Sequence, residues 1–170
     1  MHPGRSEFLE TIIREAVSRD YENLNTLIDE VDRLHRDNLP QKFQESEGPV
    51  RDRNFILDLI ADESVGLLVA EREAHIVGLV HIMIRDTPDI PILVLRRYAV
   101  IDNLVVKDGF RRVGIGRALM IKAHDWAITK GAKLVELNVY DFNEAALAFY
   151  EKLGYSTYSR QMSKSLKCDE

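Results

Sequence analysis

The chain has 170 residues, of which 45% are hydrophobic and 30% are charged, the composition of an ordinary soluble globular protein. This length fits one domain, and we expect residues 1–170 to form a single one. No apolar run approaches the roughly 18 residues that a membrane-spanning helix needs, and the N-terminus lacks the apolar stretch of a signal peptide. The single cysteine, Cys168, excludes an internal disulfide. These features favour a cytoplasmic protein without a membrane partner.

The net charge of −5 argues against nucleic-acid binding, which normally requires a basic surface. Residues 1–60 hold 13 acidic and 8 basic side chains, which gives −5, whereas residues 61–170 hold 15 of each. If the acidic third borders an active site, it favours a cationic substrate. Solvated faces of surface helices are an equal explanation.

The N-terminal half is predicted to contain a strand, two helices and a hairpin, in that order. Apolar residues recur at helical spacing between Leu24 and Leu34, which indicates an amphipathic helix. The polar stretch 71–75 separates two apolar runs, as a hairpin turn does. The predicted segments are a strand over 8–17, helices over about 20–36 and 55–60, and strands over 66–70 and 76–84.

The C-terminal half alternates predicted strands and helices. The apolar run 95–106 predicts a long strand, and Gly131 follows the helical stripe 114–130 as a C-cap would. Further predicted segments are a strand over 133–140, a helix over 144–153 and a last strand over 155–166. Because an antiparallel meander precedes the alternating part, we predict an α/β fold with a mixed, largely antiparallel central sheet of about seven strands and helices on both faces.

The segment 104–117 has the form of an anion-binding turn. An apolar strand ends at Val106, a basic loop follows, and Gly114 and Gly116 open a helix. The first amides of a helix lack helical partners and carry the positive end of its dipole, so they bind phosphate. Three arginines add positive charge: Arg111, Arg112 and Arg117. The P-loop string and the third glycine of a dinucleotide fingerprint are missing, so the glycines alone are equally consistent with a structural turn.

Two motifs lie at a fixed separation in this half. The first is Arg111-x-x-Gly114-x-Gly116 after an apolar strand, and the second, NEAALAFYEKLGY over 143–155, follows about thirty residues later. Together they resemble the GNAT superfamily of acetyltransferases, strongly over about 100–156. The resemblance implies the GNAT fold, with a coenzyme-binding core over about 95–156 and acetyl-CoA as the cosubstrate.

In that family the Arg-x-x-Gly-x-Gly amides wrap the pyrophosphate of coenzyme A. The preceding strand bonds through its backbone to pantetheine, as an added strand would, and the same backbone stabilises the oxyanion of the tetrahedral intermediate. By position the pantetheine strand is Leu104, Val105 and Val106. By position the pyrophosphate loop is Arg111, Arg112, Val113, Gly114, Ile115, Gly116 and Arg117.

The second motif supplies two side chains. Asn143 matches a residue that contacts the pantetheine arm, although it is also placed as an ordinary helix N-cap, and one asparagine can serve both roles. Tyr150 matches a tyrosine beside the coenzyme sulfur, where it protonates the departing thiolate. The alternative for Tyr150 is a packed aromatic on an apolar helix face.

The base that takes the proton of the amine is expected at Asp102, which interrupts an apolar strand beside the proposed thioester. The string Ile101-Asp102-Asn103-Leu104 resembles a segment of polyamine and glucosamine-phosphate acetyltransferases. An acceptor-binding carboxylate, a water-facing strand residue, or a proton lost to water are the alternatives. His81 lies between apolar neighbours, which favours a hydrogen-bonded core histidine over an acceptor contact.

The sequence therefore predicts an N-acetyltransferase in which a primary amine directly attacks the acetyl thioester of acetyl-CoA. The acceptor is expected to be cationic: a polyamine, an aminoglycoside, or a protein lysine or N-terminus. The alternative is a non-catalytic sensor or interaction domain that binds acyl-CoA, because fold does not fix function. No spacing indicates a metal site, and the predicted edge strand over 155–166 favours pairing into a homodimer.

Overall fold

The structure, a computed structural model, describes residues 10–49 and 51–166. Two compact units divide the chain, Met1–Asn138 and Val139–Glu170. The strands are β1 (Ile12–Glu15), β2 (Val65–Arg72), β3 (His75–Asp86), β4 (Arg97–Val106) and β5 (Val135–Leu137). The helices are α1 (Tyr21–Asn38), α2 (Arg53–Ala61), α3 (Ile115–Thr129) and α4 (Glu144–Lys152), with one 3-10 turn, Ser18–Asp20, before α1.

Among the described residues, the strands form one five-stranded sheet in the order β1-β2-β3-β4-β5. Each neighbouring pair from β1 to β4 is antiparallel, and β5 runs parallel to β4. The predicted fold class, an α/β protein with a mixed and largely antiparallel sheet, is confirmed, with five strands in place of about seven.

Helices cover both faces of the sheet in the first unit. Successive side chains of a strand point to opposite faces, and Leu79 of β3 lies in a core cluster with Leu24 of α1 and Ile56 of α2. On the opposite face, a Cβ built at Gly78 would lie 3.0 Å from the Leu119 side chain of α3. Glycine at this position therefore allows α3 to approach the sheet closely.

The predicted helices and the hairpin are found close to their expected bounds. Gly131 follows α3 with a φ of 82°, the left-handed conformation of a C-terminal cap. In the hairpin between β2 and β3, Glu73 and Ala74 have φ angles of 50° and 62°, the positive pair that a type I′ turn requires. No helix in the described parts of the chain combines the length and apolarity needed to cross a membrane.

Two predicted strands near the C-terminus differ from the structure. The strand over 133–140 is reduced to β5, and the prediction of a strand over 155–166 is wrong, because these residues take no regular secondary structure. A strand is stabilised by pairing and by one buried face, whereas Tyr158, Met162 and Leu166 are exposed. The sheet edge from which we expected a homodimer is therefore absent from the described residues.

Candidate active site

One backbone edge of β4 is open. The pairing of β4 with β5 ends at Ile101 and Leu137, while β4 continues to Val106 with β3 on its other edge. Beyond Ile101, no strand of the described residues pairs with this edge. Unpaired backbone N–H and C=O groups can bond an extended ligand as a further strand would. The predicted pantetheine strand, Leu104 to Val106, lies in this stretch, where the Val106 carbonyl already accepts a hydrogen bond from Arg111.

The N-terminus of α3 carries backbone amides without helical partners. Gly114 is the N-cap, with a φ of 92° and no side-chain cap. The first helical hydrogen bond runs from the Ala118 N–H to the Gly114 carbonyl, at 3.0 Å. The amides of Ile115, Gly116 and Arg117 therefore lack an acceptor within the helix, at the end where the dipole favours an anion.

The side chains of the predicted pyrophosphate loop differ in burial and in hydrogen bonding. Arg111 donates from Nε to the Val106 carbonyl at 2.8 Å, so it holds the loop against the end of β4. The side chain of Ile115 is buried in the core, which leaves only its backbone for a ligand. Arg112 and Arg117 are exposed, and their charges face solvent. The loop thus combines a fixed backbone with two exposed cations.

A β-bulge in β4 brings three polar side chains together. His81 of β3 pairs with Asn103, but the next β3 residue, Ile82, pairs with Ile101, so Asp102 is an extra residue. The Nδ1 atom of His81 lies 3.2 Å from Oδ2 of Asp102, and Asn103 donates from Nδ2 to the same oxygen at 2.8 Å. The predicted base is therefore held within a cluster of side chains.

This cluster keeps Asp102 ionised. The hydrogen bond from His81 lowers the pKa of Asp102 below its usual value against the opposing effect of burial, and Arg51 and Asn103 lower it further. The Asp102 side chain is 51% exposed, whereas that of His81 is 9% exposed. A molecule arriving from solvent thus meets the carboxylate first. A carboxylate of low pKa binds a cation well but is a weak proton acceptor.

A cavity of about 100 Å³ lies beside the cluster. Its polar end is lined by Arg51, His81, Asp102 and Asn103. The other lining residues are apolar: Ile28, Phe55, Ile56, Leu59, Leu67 and Leu79. We call it the Asp102 cavity. It lies on the face of the sheet that α1 and α2 cover.

A second cavity, of about 220 Å³, shares Arg51 with the Asp102 cavity. Asp32 and Arg36 of α1 line it together with Phe43 and polar residues of the following loop. The ring of His35 stacks on Phe43 with 5.2 Å between centroids, and burial lowers the pKa of His35. Both charge signs line this second cavity.

Asn143 lies in the second unit and caps α4. Its Oδ1 accepts the Ala146 N–H at 3.1 Å, which is the N-cap arrangement. Its Nδ2 has no hydrogen-bond partner among the residues that the structure describes. The side chain therefore has donor capacity left after capping, as a second role at a ligand requires.

Tyr150 lies on α4 in an aromatic cluster. Its ring is edge-on to those of Phe149 and Tyr155, with centroids 5.3 and 5.8 Å apart. Burial raises the pKa of Tyr150 to about 12, so the hydroxyl keeps its proton at neutral pH. Full transfer to a thiolate of pKa near 8.5 is uphill by about 5 kcal/mol. The environment thus favours a hydrogen-bond donor over a strong acid.

Sequence reasoning expected His81 in the core with a hydrogen bond, and the structure buries it. It missed the partner, because Asp102 is 21 positions away and their contact depends on the strand register. The available signal was a single polar residue within the apolar run IVGLVHIMI. A single polar residue in an apolar run predicts that it has a hydrogen-bond partner, but it does not predict which residue that partner is.

Comparison with known proteins identifies the family. Residues 28–155 match the model of the Acetyltransferase (GNAT) family. A glucosamine 6-phosphate N-acetyltransferase of Trypanosoma brucei brucei is 36% identical over 66 residues, which cover 39% of this chain and 43% of that protein. An uncharacterized N-acetyltransferase of Archaeoglobus fulgidus is 34% identical over 98 residues, 58% of this chain and 65% of the relative. The chain thus spans less than two thirds of the length of these relatives.

Solved structures share the fold. A crystal structure of a mutant of the BH1408 protein from Bacillus halodurans is 30% identical, with a TM-score of 0.87 over 92% of this chain and 99% of that one. An aminoglycoside acetyltransferase from a soil metagenomic sample, in complex with sisomicin, is 18% identical, with a TM-score of 0.69 over 92% and 97% of the two chains. At this identity the second likeness concerns the fold alone. With the family match over residues 28–155, the chain belongs to the acetyltransferase (GNAT) family.

Proposed function

We propose that the protein is an N-acetyltransferase that moves the acetyl group of acetyl-CoA to a primary amine. The observation that carries this proposal is the open β4 edge, joined by the loop 107–114 to the free amides of α3. A strand edge suits an extended pantetheine arm, and helix amides suit the pyrophosphate at its end. Coenzyme A contains both parts in this order.

In the proposed reaction the amine nitrogen attacks the thioester carbonyl carbon directly. Backbone amides of the segment Leu104–Val106 stabilise the oxyanion of the tetrahedral intermediate. Its collapse breaks the C–S bond, and the Tyr150 hydroxyl donates to the departing thiolate. The proton that the amine loses goes to the polar end of the Asp102 cavity, to the carboxylate or to water. The acetyl group is never bonded to the enzyme, so no nucleophilic side chain takes part.

The proposed acceptor is a cation: a polyamine, an aminoglycoside, or a lysine side chain or N-terminus of a protein. Two features of the charge distribution support this. Asp102 is ionised and half exposed beside the cavity. Residues 1–60, which include α1 and all of α2 except its last residue, hold the entire net charge of −5. A negative field concentrates cationic substrates near the site.

The proposal is tested by thiol release from acetyl-CoA across a panel of amines, with spermidine, an aminoglycoside, butylamine, and peptides that present a lysine or a free N-terminus. We expect amine-dependent release and a mass gain of one acetyl group on the modified amine, and no release without an amine. Coenzyme binding in a thermal-shift assay without modification of any amine would favour the acyl-CoA sensor. Failure to bind the coenzyme would show that α3 is not a pyrophosphate site.

A further inference from the structure

Among the residues that the structure describes, hydrogen-bond partners reach only one oxygen of Asp102. The contacts from His81 and from Asn103 both end on Oδ2. Oδ1 has no hydrogen-bond partner within residues 10–49 and 51–166. Because the side chain is half exposed and lines the cavity, an entering molecule meets an ionised oxygen without a partner.

Of the two ring nitrogens of His81, Nδ1 has a partner and Nε2 has none among the described residues. Its Nε2 atom is buried and has no hydrogen-bond partner in the described part of the chain, which lowers the stability of the folded state. An apolar side chain like that of Leu79, two positions earlier on the same face, would avoid this loss. What histidine adds at this position is the Nδ1 contact at 3.2 Å, which fixes the orientation of the Asp102 carboxylate.

The rest of the Asp102 cavity is small and apolar. Its volume of about 100 Å³ is less than the roughly 150 Å³ of an engineered cavity that holds benzene. A short aliphatic group fits such a space. A second ammonium group would lose its hydration in the apolar part of the cavity without gaining a partner there.

We propose that the Asp102 cavity is the acceptor site and that it selects primary amines whose nitrogen is attached to a short apolar chain. Oδ1 of Asp102 binds the ammonium group, and the chain lies against the apolar lining. His81 is a positioning residue that holds Asp102. The inference rests on the proposed function for the identity of the bound amine as the acceptor. It excludes polyamines and aminoglycosides and leaves acceptors with a single ammonium group on an apolar chain, as in a lysine side chain.

The ligand class is tested by calorimetry on the full chain in the presence of coenzyme A. Butylamine and 1,4-diaminobutane have the same chain length and differ in the second ammonium group. We expect butylamine to bind at least about tenfold more tightly than the diamine, and Asp102→Asn to weaken butylamine binding at least about tenfold. Butylamine that does not bind, that binds like the diamine, or that ignores Asp102→Asn would overturn the proposal.

The role of His81 is tested with Asn and Leu, which have the same branching and similar size. Asn keeps a donor near the position of Nδ1, and Leu has none. We expect His81→Asn to retain butylamine affinity within about threefold and His81→Leu to lose about tenfold. Equal affinities, or a loss in His81→Asn as large as in Asp102→Asn, would contradict positioning. Even if His81→Leu does not fold, a large loss of affinity in His81→Asn would still refute positioning.

The proposed amine site and the proposed transferase activity can be refuted independently of each other. Butylamine binding that depends on Asp102, without acetylation of any amine, would leave the cavity as an amine site and refute the transferase. Acetylation of spermidine but not of butylamine would support the transferase and refute the proposed selectivity.

Discussion

The proposed coenzyme side and the proposed acceptor side of this protein are built from different kinds of groups. The coenzyme side uses backbone groups, namely the open edge of β4 and the first amides of α3. The acceptor side uses side chains from distant parts of the sequence, which meet at the β4 bulge and around one small cavity. Backbone groups are the same in every protein, so a coenzyme side of this kind suits a shared ligand. Side chains differ, so under the proposed function they would determine the acceptor.

The two sides also differ in charge. The backbone amides carry no formal charge, whereas Asp102 carries a negative charge. Substitutions should therefore separate coenzyme binding from acceptor binding, and they test whether the two sides are as independent as their construction indicates.

The largest effect is expected from Gly114→Asn. Asparagine tolerates a positive φ better than other side chains, but it would fill the space before the free amides of α3. We expect acetyl-CoA binding to weaken about 100-fold, as for the loss of one or two hydrogen bonds to a charged group. Gly131→Asn is the matched control, because Gly131 has a similar φ at the other end of α3. Calorimetry with both variants decides, and equal affinities would show that the N-terminus of α3 is not used.

Tyr150→Phe is expected to lower kcat about 100-fold and leave coenzyme affinity within about threefold. The hydroxyl is removed while the ring remains in its cluster. Tyr155→Phe removes a hydroxyl from the neighbouring ring and is the control, with a change in kcat below about threefold. Steady-state kinetics with the best acceptor of the panel measure both. An unchanged kcat in Tyr150→Phe would refute the proposed hydrogen bond from the Tyr150 hydroxyl to the thiolate.

The positions of Gly114 and Tyr150 in their helices show what the sequence could predict, while their roles at a ligand stay predictions. Gly114 and Tyr150 belong to motifs read from local spacing, and the helix bounds around them follow from periodicity and from glycine. The β4 bulge and the contact between His81 and Asp102 depend on the register between strands, which one sequence does not specify. The failed strand over 155–166 has the same origin, because a strand needs a partner and local propensity does not supply one.

A buried ion pair stabilises the start of α1, the helix whose Ile28 lines the Asp102 cavity. Arg14 of β1 bonds both oxygens of Asp20, at 2.7 and 3.0 Å, and donates to Glu71 of β2 at 2.6 Å. Asp20, which is 5% exposed, directly precedes α1. We expect Asp20→Asn to lower the free energy of unfolding by about 2–4 kcal/mol at pH 7. Asp29→Asn, which removes a carboxylate paired with arginines on the surface of α1, should cost less than about 1 kcal/mol.

The pH dependence of this effect has a definite sign. The hydrogen bond from Arg14 lowers the pKa of Asp20 in the folded state below the ordinary 3.8. The stabilisation is therefore complete above pH 3.8 and is lost as the pH falls through the lower folded value. Denaturant titrations should show the difference between wild type and Asp20→Asn shrinking only in this acid range. A difference that already shrinks between pH 7 and 5 would contradict it.

The smallest effect is expected from Asn143→Asp. Aspartate is as good an N-cap as asparagine, but it replaces the Nδ2 donor with an acceptor. We expect the melting temperature to stay within about 2 °C and acetyl-CoA binding to weaken about fivefold, as for one neutral hydrogen bond. Asn143→Ala is the control for capping and should destabilise by about 1 kcal/mol. Unchanged affinity in Asn143→Asp would leave the cap as its only role.

The bulge at Asp102 exchanges the two faces of β4: odd-numbered residues face α3 before it and face α1 and α2 after it. Before it, Ala99 and Ile101 pair with the β3 residues that face α3, and after it, Val105 pairs with Leu79 on the face of α1 and α2. In a strand whose buried side chains switch faces at a bulge, the extra residue packs into neither of the two hydrophobic cores, so neither core restricts its side chain. Asp102 occupies that position, so the residue that we propose to bind the acceptor can be exchanged with little loss of packing. In this fold, substrate preference can therefore change by a single substitution while the core stays intact.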